Sequence, residues 1–436
     1  MADKVTQFVC PACGSSLKFD ATNQNIKCPY CDSEFSIEDI KAMNEEKNRD
    51  FNDETSWDTT DSMKEFSTAE QEGMVSYLCD ACGGEIICGE NTSSTSCPYC
   101  GNNVLLRKNL TGALKPKYII PFKKTEKDAK DALKNYMKKK ILLPRLFKSE
   151  NKINEIKPLY VPYWLYDADV DARIHYRCSN TRRYTRGDYE YTETSYYSVI
   201  REGGIAYEHL PVDASKSIDN KLTEAIEPFS FNETKEFETA YLAGYMSDKY
   251  DQTAEECSGR ATQRIREGTE IAFRKTVTGY QEVRTETCNI RLYNTKVDYA
   301  YFPIYILGTK WKDNTYTFAM NGETGKLKGN LPMSPLKFVL WLIGQFVVYG
   351  GLIGLLMYFI FQDSEYSPFA GLAIGLVIGL IVALIVTFVF KSQLKGAKFQ
   401  KGSAQYYKPG SMNLVIATDR FLYKKTTRRR INNSRN

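Results

Sequence analysis

The chain has 436 residues, of which 42% are hydrophobic and 25% are charged, and 58 Lys and Arg against 53 Asp and Glu give a formal net charge of +5. This composition is that of a globular protein, and it excludes a collagen-like chain, a wholly disordered chain and a small disulfide scaffold. The mild total hides an asymmetry. Residues 1–105 contain 7 basic and 19 acidic residues, whereas residues 391–436 contain 12 basic residues and one acid, Asp419.

The acidic front contains an internal repeat of paired cysteines. Each copy has two C-x-x-C pairs separated by 14 residues, and the second copy recurs 69 residues after the first. Two such turns direct four thiolates to one centre, which is the ligand set of a structural zinc ribbon. The predicted ligands are Cys10, Cys13, Cys28 and Cys31 in ribbon 1 (residues 1–37) and Cys79, Cys82, Cys97 and Cys100 in ribbon 2 (residues 77–107). The sequence therefore predicts two structural Zn²⁺ ions, with disulfides as the alternative.

The charge of the front bears on what the ribbons bind. A phosphate-binding surface needs clustered Lys and Arg, which residues 1–105 lack, so we expect the ribbons to contact protein or to be purely structural. Nucleic acid is disfavoured as their partner.

Residues 38–76 are predicted to form an acidic flexible linker, in which Trp57 is a hypothetical docking anchor. Cys88 is an extra cysteine within ribbon 2.

Residues 108–336 carry an α+β pattern. A capping box at Thr125 predicts a helix to about residue 140, and a second amphipathic helix is predicted over 252–275. Runs rich in Tyr, Thr, Val and Ile predict mixed, mostly antiparallel strands at 159–166, 172–178, 189–199, 204–209, 281–293, 299–310 and 314–320. The similar segments Y-V-P-Y-W (160–164) and Y-F-P-I-Y (301–305) suggest a duplicated unit.

No catalytic constellation stands out in this domain. The two histidines are His175 and His209, and Cys178 lies three residues after His175, on the opposite face of the predicted strand. Cys257 and Cys288 are predicted to be small core residues, and Arg186-Gly187-Asp188 a turn. We expect no enzyme and no phosphate-binding loop; an unidentified activity of this tyrosine-rich domain is the alternative.

Two long apolar runs follow, at residues 338–361 and 369–390. At about 1.5 Å per residue, each exceeds the roughly 30 Å hydrocarbon core as a helix, so they predict a transmembrane hairpin over 337–391. Lysines flank both outer ends, whereas the connector is acidic. The positive-inside rule therefore places both termini in the cytoplasm and makes this a multi-pass protein of the cell membrane.

Glycines recur every fourth residue within the two runs: Gly350 and Gly354 in the first, and Gly371, Gly375 and Gly379 in the second. Such stripes let helix backbones approach closely. They predict either packing within the hairpin or assembly of several chains into a homo- or hetero-oligomer. Few polar residues lie in the runs, which argues against a channel or transporter.

The basic tail spans residues 392–436. Lys391, Lys395, Lys398 and Lys401 recur at helical spacing, which predicts an extension of the second membrane helix that lies against anionic lipid headgroups. Residues 413–417 and 420–424 are expected to form a small hairpin before a polybasic end at 424–430.

These features together resemble a known family. The C-P-x-C-type ribbons, the Y-x-P-[YF]-W motif (160–164), F-A-M-N-G-E-T-G-K (318–326), two late spans and D-R-F-L-Y (419–423) are similar to those of bacterial membrane-anchored TFIIB-type zinc-ribbon proteins, some of which carry the name of the replication-restart helicase. Asp80 departs from the proline of the pattern. The resemblance implies association with stomatin/flotillin-like (SPFH) proteins and with phage-shock protein A in membrane-stress systems.

We therefore expect a non-enzymatic, zinc-containing adaptor or scaffold held at the membrane by its hairpin, with protein partners at the cytoplasmic face. The helicase label conflicts with the absence of a phosphate-binding loop. The alternative is a membrane-tethered regulator that binds nucleic acid through its basic tail.

Overall fold

The computed structural model describes residues 9–10, 15–21, 24–30, 34–37, 40, 56–60, 64–71, 74–89, 97–100, 105–109, 113–150, 156–312, 314–362, 367–396, 403 and 405–431. Within them the strands are β1 (Lys18–Asp20), β2 (Asn25–Lys27), β3 (Glu34–Phe35), β4 (Met74–Cys79), β5 (Glu85–Gly89), β6 (Leu105–Asn109), β7 (Tyr118–Ile119), β8 (Lys157–Arg186), β9 (Tyr189–Asp213), β10 (Lys235–Glu236), β11 (Met246–Asp248), β12 (Glu282–Trp311), β13 (Asn314–Asn321), β14 (Leu327–Gly329) and β15 (Asn413–Arg430). The α-helices are α1 (Thr68–Gln71), α2 (Glu126–Lys138), α3 (Arg145–Glu150), α4 (Asn220–Ala225), α5 (Ala254–Arg274), α6 (Pro335–Gln362) and α7 (Pro368–Ser392).

One large sheet organises the chain. Strands β1–β3 form a small separate sheet, and the other twelve form a single sheet. At its centre, the 30-residue strand β8 pairs antiparallel with β12 on one side and with β9 on the other, while β11 continues the β9 side in parallel. The α+β class with antiparallel sheet is confirmed.

The predicted strands of this domain are segments of longer ones. Residues 159–166 and 172–178 both belong to β8, 189–199 and 204–209 both belong to β9, and 281–293 and 299–310 both belong to β12. The predicted breaks are wrong because β-bulges absorb the polar interruptions: the pairing shifts between Tyr166 and Ala168 and between Tyr293 and Lys296, where Asn294 has a positive φ.

The two similar segments lie side by side in the sheet. Tyr160 pairs with Pro303 and Pro162 with Tyr301, so β8 and β12 are related here by an approximate two-fold axis. Each proline carbonyl accepts a hydrogen bond from the residue after the neighbouring strand, Ala214 for Pro162 and Gly322 for Pro303. Both repeats therefore end in the same local arrangement, as expected of a duplicated unit.

Both predicted helices of the domain are present, with their caps. Thr125 and Asp128 form the capping box of α2, and Thr253 and Glu256 form that of α5. Helix α5 buries Ala254, Cys257, Ala261, Ile265 and Phe273 in the main core, against β8 and β9. The role predicted for Cys257 is confirmed.

Helices α6 and α7 are long and apolar enough to cross a membrane, and they pack on each other through their glycines. A Cβ built at Gly379 would lie 2.4 Å from the Cα of Gly350, and one at Gly375 would lie 2.6 Å from the Cα of Gly354. Gly371 faces the carbonyl of Met357 in the same way. All five predicted glycines thus lie in the contact between the two helices of one chain.

The base of this hairpin is fastened to the domain. Leu331, Leu394 and Phe147 are buried in one cluster with α2 and the end of β12, and Phe338 and Phe390 pack against it. The Lys337 ammonium donates to the carbonyl of Leu143, and the Leu331 N–H donates to that of Leu394 over 2.9 Å. Helices α6 and α7 therefore leave and rejoin the domain at one place.

The tail differs from its prediction. Helix α7 ends at Ser392, so the lysine spacing does not continue as a helix, and Leu394 is buried against the domain. The expected hairpin over 413–424 is instead part of one strand, β15, which pairs antiparallel with β9 from Gly204 to Tyr189. The reason is non-local: β9 offers an unpaired edge that an extended chain can satisfy along its whole length.

A buried polar network holds the segment that precedes β15. The Ser403 hydroxyl donates to the Arg264 carbonyl over 2.9 Å, and the Glu208 N–H donates to the Tyr406 carbonyl over 3.0 Å. The Arg264 guanidinium donates to both Glu227 oxygens, over 3.1 and 2.6 Å, and to the Pro211 carbonyl over 2.7 Å. These bonds tie the described residues after α7 to α5 and β9.

Substituting Gly379 by alanine is expected to destabilise the hairpin, because the new Cβ would meet the backbone of Gly350. Overpacking of this kind costs about 1–3 kcal/mol, so the melting temperature in detergent should fall. Gly351→Ala is the matched control, since no atom lies within 4 Å of its Cβ position. Equal melting temperatures for the two variants would contradict the helix contact.

Arg264→Met is expected to destabilise the protein by about 3–5 kcal/mol, because it leaves the Glu227 carboxylate buried without its cation. The control is Arg284→Met, which breaks an exposed pair with Glu282 (2.6 Å) and should cost less than about 1 kcal/mol. Denaturant unfolding measures both, and a small loss for Arg264→Met would show that the network is dispensable.

Candidate metal centre

The four predicted thiols of ribbon 2 converge. The sulfurs of Cys79, Cys82, Cys97 and Cys100 all lie within 4.8 Å of one another. The Cys79–Cys100 separation is 3.7 Å and the Cys82–Cys97 separation is 3.6 Å. A tetrahedral Zn²⁺ with Zn–S bonds of about 2.3 Å requires sulfurs roughly 3.8 Å apart. The described cysteines are free thiols, so this donor set fits a metal ion, and no disulfide competes for it.

Backbone turns bring these thiols together. Cys79 ends β4, and the chain reverses at Gly83, which has a φ of 75° and whose N–H donates to the Cys79 carbonyl over 2.8 Å. The second knuckle enters through Tyr99, which is buried against Gly84. A Cβ at Gly84 would lie 2.7 Å from the Tyr99 ring, and one at Gly308 only 2.0 Å from the Tyr99 carbonyl oxygen. The knuckle is thus packed directly onto β12.

Ribbon 2 is continuous with the main sheet. Strand β5 pairs with β4 on one side and with β11 on the other, and β11 pairs with β8. Cys88 lies in β5, outside the ligand set, and is fully buried between the ribbon and the domain. A metal here would therefore brace an edge of the domain as well as its own loop.

The thiols differ in acidity. Burial raises the pKa of Cys97, so this thiol holds its proton at neutral pH. Burial also raises the pKa of Cys79, but hydrogen bonds from the backbone N–H groups of Cys82 and Ala81 and from the Cys82 and Cys100 thiols together lower it to about 7. Metal binding must displace the protons that remain. When bound, zinc would be held by all four thiolates and would supply cross-linking of the two knuckles, with no open position for catalysis.

Ribbon 1 is described only in part. Cys10 and Cys28 are buried with Phe35 and Ile40 beside β1–β3, and Tyr423 of β15 packs against this cluster. Cys13 and Cys31 lie outside the described residues, so the second predicted zinc site remains a prediction. The same holds for Lys398 and Lys401 and for most of the 38–76 linker.

The other predicted residues lie elsewhere in the fold. Lys391 sits at the base of the hairpin, with its ammonium 5.4 Å from the centre of the Phe388 ring, and Lys395 pairs with Asn330. Trp57 does not present an exposed docking ring, because it packs on Tyr166 and donates to Thr262 over 3.3 Å. Cys288 is exposed, so its predicted core role is wrong: it lies on the open face of β12.

Structure places one hydrogen-bonded set that sequence reasoning did not find. His175 Nε2 lies 2.6 Å from Ser198 Oγ, and its Nδ1 lies 3.3 Å from Glu286. A serine hydroxyl, an imidazole and a carboxylate linked in this way are the groups of a Ser-His-acid triad. However, Ser198 is only 4% exposed, and its strand is paired on both sides, so a substrate carbonyl cannot reach its oxygen. No sequence motif signals the set, since its members come from three strands.

The fold and the cysteine site define a sheet-rich α+β protein with a four-cysteine cluster able to hold a metal and two helices able to cross a membrane. The uncharacterized protein YdjG of Bacillus subtilis (strain 168) is 32% identical to the chain over 340 residues, which cover 78% of this chain and 94% of YdjG. The chain therefore belongs to the YdjG family. No family model and no solved structure matches it.

Cys97→Ser is expected to remove one zinc ion per chain, because three thiolates no longer complete the tetrahedron. Elemental analysis of anaerobically purified protein should fall from about two zinc ions to about one. Cys288→Ser makes the same chemical change at an exposed thiol and should leave the zinc content unaltered. Wild-type protein without zinc would refute the assignment of the metal.

Proposed function

We propose that the protein is a membrane-anchored zinc-ribbon adaptor that presents a protein-binding surface on the cytoplasmic side. The observation that carries the proposal is that α6 and α7 each have a glycine face that is buried and an apolar face that is exposed. Their glycines are buried against each other, while bulky apolar side chains such as Val347, Leu352 and Phe369 are 65%, 65% and 73% exposed. In water an exposed apolar surface of this kind would promote aggregation. In a bilayer, apolar side chains are the ones expected to face the lipid.

The charges at the helix ends support the orientation. Lys337 and Lys391 lie at the domain end of the hairpin, while the 362–368 connector carries two acids and no base. With the domain end in the cytoplasm, the positive-inside rule is satisfied at both helices. Lys391 and Lys395 would then lie at the level of the anionic headgroups.

The role of adaptor rests on what the domain offers. Its zinc ribbons are closed coordination shells, suited to rigid surfaces and not to catalysis. The serine of the triad-like set at His175 is buried, and Arg264 and Arg260 each pair with a buried carboxylate, Glu227 and Asp213. By its resemblance to TFIIB-type zinc-ribbon proteins, the partners we propose are SPFH-like and phage-shock protein A-like proteins of a membrane-stress system.

Reporter fusions test the topology. Green fluorescent protein at the N-terminus should fluoresce, and alkaline phosphatase inserted after Gln362 should be active, because the connector is outside. As a control, phosphatase fused after Arg430 should be inactive. An inactive insertion at Gln362 with membrane-bound protein would overturn the hairpin topology.

Co-purification tests the adaptor role. In gentle detergent, the wild type and Cys288→Ser should retain SPFH-like and phage-shock protein A-like partners, while Cys79→Ser should lose them and still fractionate with membranes. Release of Cys79→Ser from the membrane, or unchanged partners, would argue against a modular ribbon surface.

A further inference from the structure

The sheet extends past the core as a three-stranded layer at the end far from the membrane helices. This distal sheet comprises residues 180–186 of β8, 189–195 of β9 and 424–430 of β15. The β8–β9 hairpin closes through Gly187, whose φ of 61° permits the tight turn. At about 3.3 Å per residue, the path along β8 from Lys157 to this turn is roughly 95 Å long. Lys157 pairs with Ile306 and follows Ile156, which is buried in the cluster at the base of the α6–α7 hairpin.

Pairing register divides the side chains of the distal sheet between two faces. Arg182, Tyr184 and Arg186 alternate on β8 and therefore share one face with their cross-strand neighbours. Those neighbours are Glu193, Tyr191 and Tyr189 on β9, and Thr426, Arg428, Arg430 and Lys424 on β15. We call this the tyrosine face. The opposite face carries mainly threonines, with Arg183, Lys425, Arg429 and Glu190, and Tyr423 at its start packs against ribbon 1.

The tyrosine face is strongly cationic and open to solvent. Its four arginines are exposed, and none of them makes an ion pair with a described residue. Its single carboxylate, Glu193, lies 3.0 Å from the Lys424 ammonium and is the cross-strand neighbour of Arg182. Among the described residues this face therefore carries five cations, Arg182, Arg186, Arg428, Arg430 and Lys424, against one carboxylate, on a surface three strands wide.

Aromatic rings lie between these cations. Tyr184 and Tyr191 are stacked across the strands, with centroids 5.4 Å apart and planes 8° from parallel. The Arg182 guanidinium lies 5.8 Å from the Tyr184 ring centre, and that of Arg428 lies 5.4 Å from the ring of Tyr189. Rings held upright on an antiparallel sheet, with planar guanidinium groups beside them, can stack bases and pair with phosphates at the same time.

From this arrangement we infer that the tyrosine face binds single-stranded nucleic acid. An anionic membrane would require charge but not stacked rings, and this face lies at the opposite end of β8 from the membrane helices. An acidic polypeptide would satisfy the guanidinium groups but leave the rings without a partner. The inference is independent of the adaptor role. It does not conflict with the expectation that the acidic ribbons avoid nucleic acid, because the basic residues here belong to β8 and β15, which lie far apart in the linear sequence.

Full-length protein in nanodiscs of uncharged lipid allows the test. Fluorescence anisotropy is recorded with 20-nucleotide poly-U and poly-dT at several salt concentrations. The wild type should bind, with an affinity that falls steeply as salt rises. Arg182→Glu with Arg428→Glu should weaken binding at least about tenfold more than the control, Arg183→Glu with Arg429→Glu, which makes the same charge change on the same strands but on the opposite face.

A second variant separates stacking from charge. Tyr184→Ser with Tyr191→Ser keeps every charge and should weaken binding about 10-fold or more, with the salt dependence retained. Unchanged thermal unfolding and zinc content establish that each variant is folded. Equal losses in the two charge variants would overturn the inference. So would wild-type binding to anionic vesicles or polyglutamate in place of the oligonucleotides.

Discussion

The pairing of β8 on both sides is the constraint on which the rest of the structure depends. This strand joins the two proline-containing repeats, carries β9 and so the edge on which β15 lies, and connects through β11 to the sheet of ribbon 2. Its residues from Leu159 to Tyr166 are buried, including the rings of Tyr160, Tyr163 and Trp164. Both faces of this segment are covered: Tyr160, Trp164 and Tyr166 belong to one core cluster, and Leu159, Val161, Tyr163 and Leu165 belong to another. A change in its register by one residue would exchange the two sets of side chains between cores that fit different shapes.

The same sheet relates the two ends of the protein. The hairpin base is packed against β12 and β14, while the chain that leaves α7 returns along α5 and β9 before it becomes β15. Ser403, Tyr406 and Arg264 hold the described part of that return path through hydrogen bonds to α5 and β9.

Local chemistry was predictable from the sequence. The C-x-x-C spacing identified the four cysteines that converge in ribbon 2, the capping boxes identified α2 and α5, and uninterrupted apolar runs identified α6 and α7. Each of these signals depends on residues close together in the chain. Three predictions were wrong: the burial of Cys288, an exposed ring at Trp57, and breaks within the long strands. In each case the outcome depends on which distant segment of the chain lies opposite the residue.

Taken alone, the sequence determined that this chain carries a four-cysteine cluster able to hold a metal ion, an α+β domain and two helices of membrane-spanning length. Tertiary structure decided where the charges lie. The basic tail, read as a membrane-facing end, became an edge strand beside β9, since the exposed edge of a long strand gains a full ladder of hydrogen bonds from an extended segment. Antiparallel pairing then placed tail arginines on one face with Arg182 and Tyr184, more than 200 residues earlier in the chain. No local pattern records such a partner, because the hydrogen bonds that select it belong to the backbone.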